Sequence, residues 1–160
     1  MRLEMAMEIL GRYDRAIELL EMGGRFYFEP NRYAANIAFL HARSGRYSEA
    51  VAVFDSLHGA LPTDELVQRY YQIAKIVADR NDYDNSLQVL QGALALDSTE
   101  RQSYANVFIL LNHLGRREEA IELIQTYLGH FPADTTVAAE LDSYRGGGQF
   151  DLQRTFSTSN

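Results

Sequence analysis

The side chains that most often do chemistry are few in this sequence, and their spacing does not group them. The four histidines are His41, His58, His113 and His130, and no two have the i, i+4 spacing that would place two metal ligands on one face of a helix. There is no cysteine, so disulfides, thiolate metal sites and cysteine nucleophiles are excluded. We therefore expect neither a metal site nor a cofactor.

Other signatures of catalysis are missing as well. The run of three glycines, Gly146–Gly148, follows a predicted helix, whereas a phosphate-binding loop follows a strand. No serine or threonine lies in a recognisable nucleophile motif. The sequence therefore predicts a protein that is not an enzyme, and we assign no catalytic residue.

The composition is that of a folded acidic domain. The 160 residues are 46% hydrophobic and 23% charged, which suffices for a buried core. A formal net charge of −7 argues against nucleic acid or an anionic membrane as the main partner. No apolar run approaches the ~18–20 residues of a membrane span, and the N-terminus does not resemble a signal peptide. We expect a cytoplasmic protein if the chain is whole, and a periplasmic one if it is an excerpt of a larger protein.

Four segments share one pattern of turn, small and apolar residues, and the first three also have an aromatic residue two positions after the turn residue, where the fourth has Arg117. They are LGRYDRAIELL from Leu10, SGRYSEAVAVF from Ser44, RNDYDNSLQVL from Arg80 and LGRREEAIELI from Leu114. Their second residues, Gly11, Gly45, Asn81 and Gly115, are 34, 36 and 34 residues apart. Because Gly and Asn tolerate the positive φ that ends a helix, each of these residues predicts a tight turn between two helices.

Positions on either side of the turn agree with a repeat. Five residues after the turn the side chain is small, and nine residues after it is large and apolar: Ala16, Ala50, Ser86 and Ala120, then Leu20, Phe54, Leu90 and Ile124. In the helix before the turn, a small residue recurs as Ala38 and Ala74, but Glu4 and Phe108 depart from this rule. We predict helices over 2–10, 13–23, 31–43, 47–58, 65–79, 83–96, 101–113 and 117–129. A ninth helix over 134–145 is capped by Thr135 or Thr136, with Val137, Leu141 and Tyr144 facing inward.

With this period and these positions, residues 1–134 resemble the tetratricopeptide repeat (TPR) family. The resemblance implies an all-α fold, a right-handed superhelix of antiparallel helix pairs in which the first helix of each pair lines a concave groove. Repeats fall at about 1–30, 31–64, 67–100 and 101–134. A capping helix over 134–145 and a Gly-rich hinge with a flexible tail over 146–160 follow them.

Positions carried over from the TPR motif predict a partner-binding surface in the groove. They are Arg32, Asn36, Phe39, Arg43, Tyr71, Gln72, Lys75, Gln102, Asn106, Ile109 and His113. The amides Asn36, Gln72 and Asn106 are in register, and an amide can pair with the main chain of an extended peptide; alternatively, they only satisfy local polar groups. Phe39, Tyr71 and Ile109 supply apolar pockets in one interpretation and belong to the core in the other.

Charge and one known family activity limit the choice of partner. Basic residues concentrate on the first helices (Arg32, Arg43, Arg69, Lys75, Arg80 and Arg101), which favours an acidic or uncharged partner, unless these faces are simply solvated. TPR co-chaperones grip a C-terminal carboxylate with a Lys/Asn/Asn/Lys/Arg clamp. The matching positions here hold Ala35, Phe39, Gln72, Gln102 and Asn106, so that clamp is absent.

The C-terminal segment departs from the repeat. Between Phe150 and Phe156, apolar or long side chains alternate with Asp151, Gln153 and Thr155, and this two-residue period is typical of a strand. Three interpretations stay open: a disordered tail, a strand-like arm that docks on its own or a neighbour's groove, or the first strand of a truncated domain.

The resemblance implies a protein–protein interaction scaffold that binds a partner peptide or helix in its groove, as an adaptor or chaperone-like bacterial module. We expect no nucleic acid partner and no direct membrane insertion. The alternative is a structural or self-assembling TPR segment of a larger bacterial assembly, such as an exopolysaccharide export or secretion apparatus. In that case the ends or the tail of the chain would form a homo-oligomer.

Overall fold

The structure is a computed structural model that describes residues 11–24 and 30–156, so the helix predicted over 2–10 lies outside it. The described residues form helices and no strand. In chain order the helices are α1 (Tyr13–Gly24), α2 (Pro30–Arg43), α3 (Tyr47–Ser56), α4 (Thr63–Ala78), α5 (Tyr83–Leu96), α6 (Arg101–His113), α7 (Arg117–His130), α8 (Thr135–Arg145) and α9 (Leu152–Phe156). The predicted bounds of α1–α8 agree with these to within two residues.

The turn inside each repeat has the backbone conformation that its sequence predicted. Gly11, Gly45, Asn81 and Gly115 have φ angles of 68°, 86°, 61° and 71°. An L-residue with a Cβ adopts this left-handed region with difficulty, and Gly and Asn are the residues that enter it most readily. The helix pairs that result make α2, α4 and α6 the first helices of repeats two, three and four.

The cap of α8 differs from the prediction. Asp134, rather than Thr135 or Thr136, is the N-cap, and its Oδ1 accepts a hydrogen bond from the backbone N–H of Val137 at 3.1 Å. The two threonines already lie within the first turn of the helix. A carboxylate is both an acceptor and a negative charge at the positive end of the helix dipole, so Asp134 satisfies this end better than a hydroxyl would.

The described residues divide into two compact bodies, and the boundary falls inside α5, between Ala93 and Leu94. We call them the N-terminal body and the C-terminal body. The small residues that the repeat places after each turn are buried in both bodies: Ala16, Ala50, Ser86 and Ala120 are at most 1% exposed. Ser86 also donates a hydrogen bond from Oγ to the carbonyl oxygen of Ala74 at 2.8 Å, which satisfies its buried hydroxyl.

In the N-terminal body the core is built around two rings. The centroids of Phe54 and Tyr70, both buried, lie 5.4 Å apart, and the Tyr70 hydroxyl donates to Oδ1 of Asp55 at 2.6 Å. Gly92 of α5 lets this ring approach closely, since a Cβ there would lie 2.8 Å from Cε1 of Tyr70. The glycine is therefore a requirement of packing, although it lies within a helix.

In the C-terminal body the core is again aromatic. Tyr104 of α6 and Tyr127 of α7 are buried and meet edge to face, with centroids 5.2 Å apart. Val137, Leu141 and Tyr144 are at most 3% exposed, which confirms the predicted inward face of α8. Helix α8 thus covers the last helix pair, as the cap of a repeat array does.

Candidate partner-binding surfaces

Each predicted partner-binding residue lies in one of the two bodies. The N-terminal set is on α2 and α4, and the C-terminal set is on α6: Arg32, Asn36, Phe39, Arg43, Tyr71, Gln72 and Lys75, then Gln102, Asn106, Ile109 and His113. Helices α2 and α4 pack against each other as neighbouring first helices. The members of each set are therefore positioned by the helices of their own body.

Along α2 the predicted residues share one side of the helix. Asn36 and Arg43 are exposed and Phe39 is half-buried, at the i, i+3 and i+7 spacing of a single helix face. Arg32 also lies in α2, but its side chain is outside the described part of the structure.

Phe39 belongs partly to the core and partly to the surface. Its ring lies 6.0 Å from the ring of Phe54, edge to face, and the guanidinium carbon of Arg69 in α4 lies 6.0 Å from its centroid. Arg69 is itself paired with Glu65, since Nη2 donates to Oε1 at 2.6 Å. Attraction between a cation and an aromatic face therefore helps to hold α2 against α4 at this point.

On α4, Gln72 and Lys75 are exposed and Tyr71 is half-buried. The Lys75 ammonium donates to both carboxylate oxygens of Asp79, each at 3.1 Å. An exposed ion pair of this kind contributes little to stability, but it offsets the charge of Lys75. The surface of α4 next to Gln72 consequently has little net charge.

The three amides in register differ in their hydrogen bonds. Oδ1 of Asn106 accepts from Nε2 of Gln102 at 3.0 Å, which is a local bond within α6. Among the described residues, no hydrogen bond involves the side chain of Asn36 or Gln72, and both are exposed. The donors and acceptors of these two amides face solvent.

On α6 the predicted residues form one stripe. Gln102, Ile109 and His113 are exposed and Asn106 is half-buried. The exposed fraction of Ile109 is 47%, an unusual value for a large apolar side chain in this structure. An isolated exposed apolar residue is common on protein surfaces, so Ile109 alone does not define a site.

Arg80, one of the basic residues of the first-helix side, has a structural role. Its Nη1 donates to the carbonyl oxygen of Ala42 at 3.3 Å and to the hydroxyl of Tyr47 at 3.4 Å, and its Nη2 donates to the carbonyl oxygen of Arg43. Carbonyls in the last turn of a helix lack donors within the helix and lie at its negative end. Arg80 therefore stabilises the end of α2.

The C-terminal segment folds back onto the C-terminal body. Residues 149–156, which we call the arm, end in the short helix α9, and α9 packs against α6 and α8. A strand was one of the predictions for this segment and is wrong for residues 152–156. The carboxylate of Asp151 accepts from the backbone N–H of Arg154 at 3.0 Å, which starts a helical turn instead.

Aromatic rings hold the arm at both of its ends. Phe150 lies 4.5 Å from the ring of Phe108 in α6 and 6.0 Å from that of Tyr144 in α8. Phe156 meets Tyr127 of α7 edge to face at 5.3 Å. Sequence analysis assigned none of these rings to a site, although the departure of Phe108 from the repeat pattern was a signal.

Glu140 of α8 binds the middle of the arm. Its Oε2 accepts from the backbone N–H of Asp151 at 3.2 Å, and its Oε1 accepts from Nη1 of Arg154 at 3.0 Å. The side chain of Glu140 is 12% exposed, whereas that of Arg154 is 67% exposed. The arm thus supplies both partners that the described residues give this largely buried carboxylate.

Asp134 links three helices beside the arm. Its Oδ2 accepts from the hydroxyl of Tyr127 at 2.7 Å and from Nη2 of Arg101 at 2.8 Å. Burial opposes the charge of Asp134, but these bonds and the backbone N–H of Val137 outweigh it and lower the pKa of the carboxyl. Arg101 also donates to the carbonyl oxygen of Thr155 at 3.2 Å, so the same cation reaches the arm.

Among the described residues there is neither a candidate membrane-spanning helix nor a candidate metal site. No helix there is long and apolar enough to cross a membrane. No group of three or more histidine, aspartate or glutamate side chains there is arranged to hold a metal ion.

Comparisons with known proteins bear on the fold. No family model matches the sequence, and no curated protein matches it significantly. Among solved structures, the crystal structure of MamA is similar with a TM-score of 0.50 and 16% identity, over 98% of this chain and 92% of that one. A double mutant of MamA, MamA RS-1 ArsTM, is similar with a TM-score of 0.50 and 17% identity, over 97% and 87% of the two chains.

At this level of identity the likeness concerns the fold alone. MamA is a TPR-like protein built as a helical-repeat solenoid. The described residues of this chain show the same architecture of helix pairs, with a positive-φ residue at the turn inside each repeat, at Gly11, Gly45, Asn81 and Gly115. The chain is therefore an all-α, TPR-like helical repeat, which confirms the predicted fold class.

Proposed function

We propose that this chain is a protein-interaction module and that a partner segment binds across the first helices α2 and α4. The observation that carries this proposal is the pair of exposed amides, Asn36 and Gln72. They occupy equivalent repeat positions on neighbouring helices and make no hydrogen bond to any described residue. An amide group both donates and accepts, so two of them can pair with successive peptide groups of an extended segment.

Apolar contact accompanies the amides. Phe39, three residues after Asn36, is half-buried on the same face of α2, and Tyr71, next to Gln72, is half-buried on α4. In many protein interfaces a few buried aromatic side chains contribute most of the binding free energy. Since Phe39 rests on the buried Phe54, its position is fixed before any partner arrives, and little ordering is needed on binding.

Charge contributes little to the proposed surface. Lys75 is paired with Asp79, and Arg69 is paired with Glu65. The sequence favoured an acidic or an uncharged partner, and we therefore propose an uncharged partner segment. The surface would recognise its main chain and an apolar side chain. Binding is then expected to depend only weakly on salt. The role is binding without catalysis, as an adaptor or chaperone-like module with the partner in the groove.

The test uses peptides selected from a phage-displayed random library on the purified full-length chain. Their affinities are measured by fluorescence anisotropy against the wild type and the double variant Asn36→Ala/Gln72→Ala. Each lost amide removes about 1 kcal/mol of hydrogen bonding, so the double variant should bind roughly 30-fold more weakly. Gln88→Ala serves as the matched control, because Gln88 is an exposed amide on the second helix α5.

Two results would refute the proposal. One is an equal affinity of the selected peptides for the wild type and for Asn36→Ala/Gln72→Ala. The other is a loss of affinity in Gln88→Ala that matches the loss in the double variant, since Gln88 lies on another helix of the same body. Circular dichroism of the three proteins verifies that helicity is unchanged.

A further inference from the structure

We propose that the seam between α6 and α8 is a binding site for the arm of a second copy of this chain, so that two copies can exchange their arms. We call this seam the arm site, formed by Arg101, Phe108, Tyr127, Glu140 and Tyr144. In the structure it is filled by the arm of the same chain. This proposal does not depend on the surface of α2 and α4.

The arm site recognises the arm by specific chemistry at several points. Phe150 and Phe156 are six residues apart and contact different rings of the site. Phe150 packs against Phe108, and Phe156 packs against Tyr127. Between them, Glu140 binds the guanidinium group of Arg154 and a backbone N–H of the arm. At the far end, Arg101 donates to a backbone carbonyl of the arm. The site is thus selective for a short segment with two aromatic residues and an arginine.

An empty arm site would be unfavourable. Glu140, whose side chain is 12% exposed with the arm in place, would lose both of its partners among the described residues. The rings of Phe108 and Tyr127 are fully buried in the folded chain, and each would lose an aromatic neighbour that belongs to the arm. The site therefore favours occupation, and every copy of the chain carries a segment that fits.

The glycines before the arm decide whether it reaches its own site. The N–H of Gly147 donates to the carbonyl oxygen of Tyr144, and the N–H of Gly148 donates to that of Ser143, each at 3.0 Å. With a φ of 96° at Gly147, this is a Schellman turn, which ends α8 and reverses the chain. A Cβ at Gly148 would lie 2.6 Å from Oγ and 2.9 Å from the carbonyl oxygen of Ser143, so only glycine fits.

Docking of the arm on its own chain requires this turn, whereas docking on a second chain does not. A side chain at position 148 blocks the tight reversal, but it changes neither the arm nor the arm site. The arm can then reach an arm site only on another copy, where the chain need not reverse at α8. In the wild type the high effective concentration of the attached arm favours the closed monomer. Exchange of identical segments is a known route to dimers when a connecting turn is strained.

The first experiment compares the mass of full-length variants by light scattering after gel filtration. Gly148→Ala is expected to be a dimer at a concentration where the wild type, of 18.2 kDa, is a monomer. Gly129→Ala is the matched control, because no atom lies within 4 Å of a Cβ at this helical glycine. Adding Phe150→Ala and Phe156→Ala to Gly148→Ala should return it to a monomer. A monomeric Gly148→Ala chain would overturn the proposal.

A second measurement applies even if Gly148→Ala does not fold. A fluorescent peptide of residues 149–156 is titrated into the full-length chain with Phe150→Ala and Phe156→Ala, in which the attached arm no longer competes. We expect this variant to bind the peptide and the wild type, with its site filled, to bind it at least tenfold more weakly. Glu140→Gln in the same variant should weaken binding about tenfold, since a charge-assisted bond is lost. Equal binding to the wild type and the variant, or no binding to either, would refute the arm site.

Discussion

Replacing Asp134 is expected to destabilise the C-terminal body, because this one side chain makes three separate contacts. It caps α8 through Val137, accepts the hydroxyl bond of Tyr127 and pairs with Arg101. Its side chain is 13% exposed, so water cannot easily take over these bonds. The substitution Asp134→Ala removes all three interactions at once, together with the negative charge that pairs with Arg101.

The expected loss follows from the separate interactions. An N-cap carboxylate contributes about 1 kcal/mol. The hydroxyl of the buried Tyr127 would be left without its acceptor, at a cost of about 1–2 kcal/mol. The pair with Arg101, whose side chain is 37% exposed, adds less than about 1 kcal/mol. Together these give about 3 kcal/mol, which for a chain of this size lowers Tm by about 6–12 °C.

Thermal unfolding followed by far-UV circular dichroism measures this loss. Asp142→Ala is the matched control: it is on the same helix, its side chain is 81% exposed, and its ion pair with Arg145 spans 3.7 Å. We expect the control to change the free energy of unfolding by no more than about 0.5 kcal/mol. If Asp134→Ala unfolded at the same temperature as Asp142→Ala, the assignment of Asp134 as a central contact of this body would be wrong.

The pKa of Asp134 provides an independent check. Burial raises the pKa of this carboxyl, but the bonds from Tyr127, Val137 and Arg101 lower it below the ordinary 3.8. A carboxyl whose pKa falls on folding stabilises the protein above its unfolded pKa, and this stabilisation is lost as the pH falls through the folded value. The difference in unfolding free energy between the wild type and Asp134→Asn should therefore narrow below about pH 4.

Two further predictions concern the N-terminal body. Gly92→Ala should destabilise it by about 1–3 kcal/mol in urea unfolding, because the new methyl group would collide with the buried ring of Tyr70, although alanine is the better helix former; an unchanged midpoint would contradict this packing. Burial, and then the charge of Arg46, lower the pKa of His41, whose Nδ1 is buried without a partner among the described residues. His41 therefore takes up a proton more readily in the unfolded chain than in the folded one. The urea midpoint should fall as the pH drops below 6.5, and the variant His41→Gln should lack this dependence.

The helix pairs could be predicted from the sequence because their signals are local. A residue such as Asn81 sets its own backbone conformation, and the buried alanines recur at a fixed distance from each turn. The end of the repeat array was predicted less well. Choosing between Asp134 and Thr135 as the cap of α8 depends on which side chain also meets Tyr127, and that neighbour is not visible from the local pattern.

The candidate surfaces were predictable only in part. The i, i+4 spacing of Gln102 and Asn106 on one helix predicts the hydrogen bond between them. The sequence could therefore have indicated that Asn106, unlike the other two amides, has a local partner. The role of Arg80 could not be found in this way, because its acceptors at Ala42 and Arg43 belong to another repeat. Long-range bonds of that kind have no signature in the spacing of residues.

Phe108 connects the repeat pattern with the arm. At the equivalent positions of repeats two and three the chain has Ala38 and Ala74, both at most 3% exposed, and a small residue there lets neighbouring helices approach closely. In repeat four the position is a phenylalanine that is nonetheless fully buried, because Phe150 of the arm lies against its ring. The departure from the repeat therefore marks the place where the arm, and not a further helix pair, covers the apolar surface of α6. In the described residues, the arm and α8 together cover the apolar surface of this helix pair.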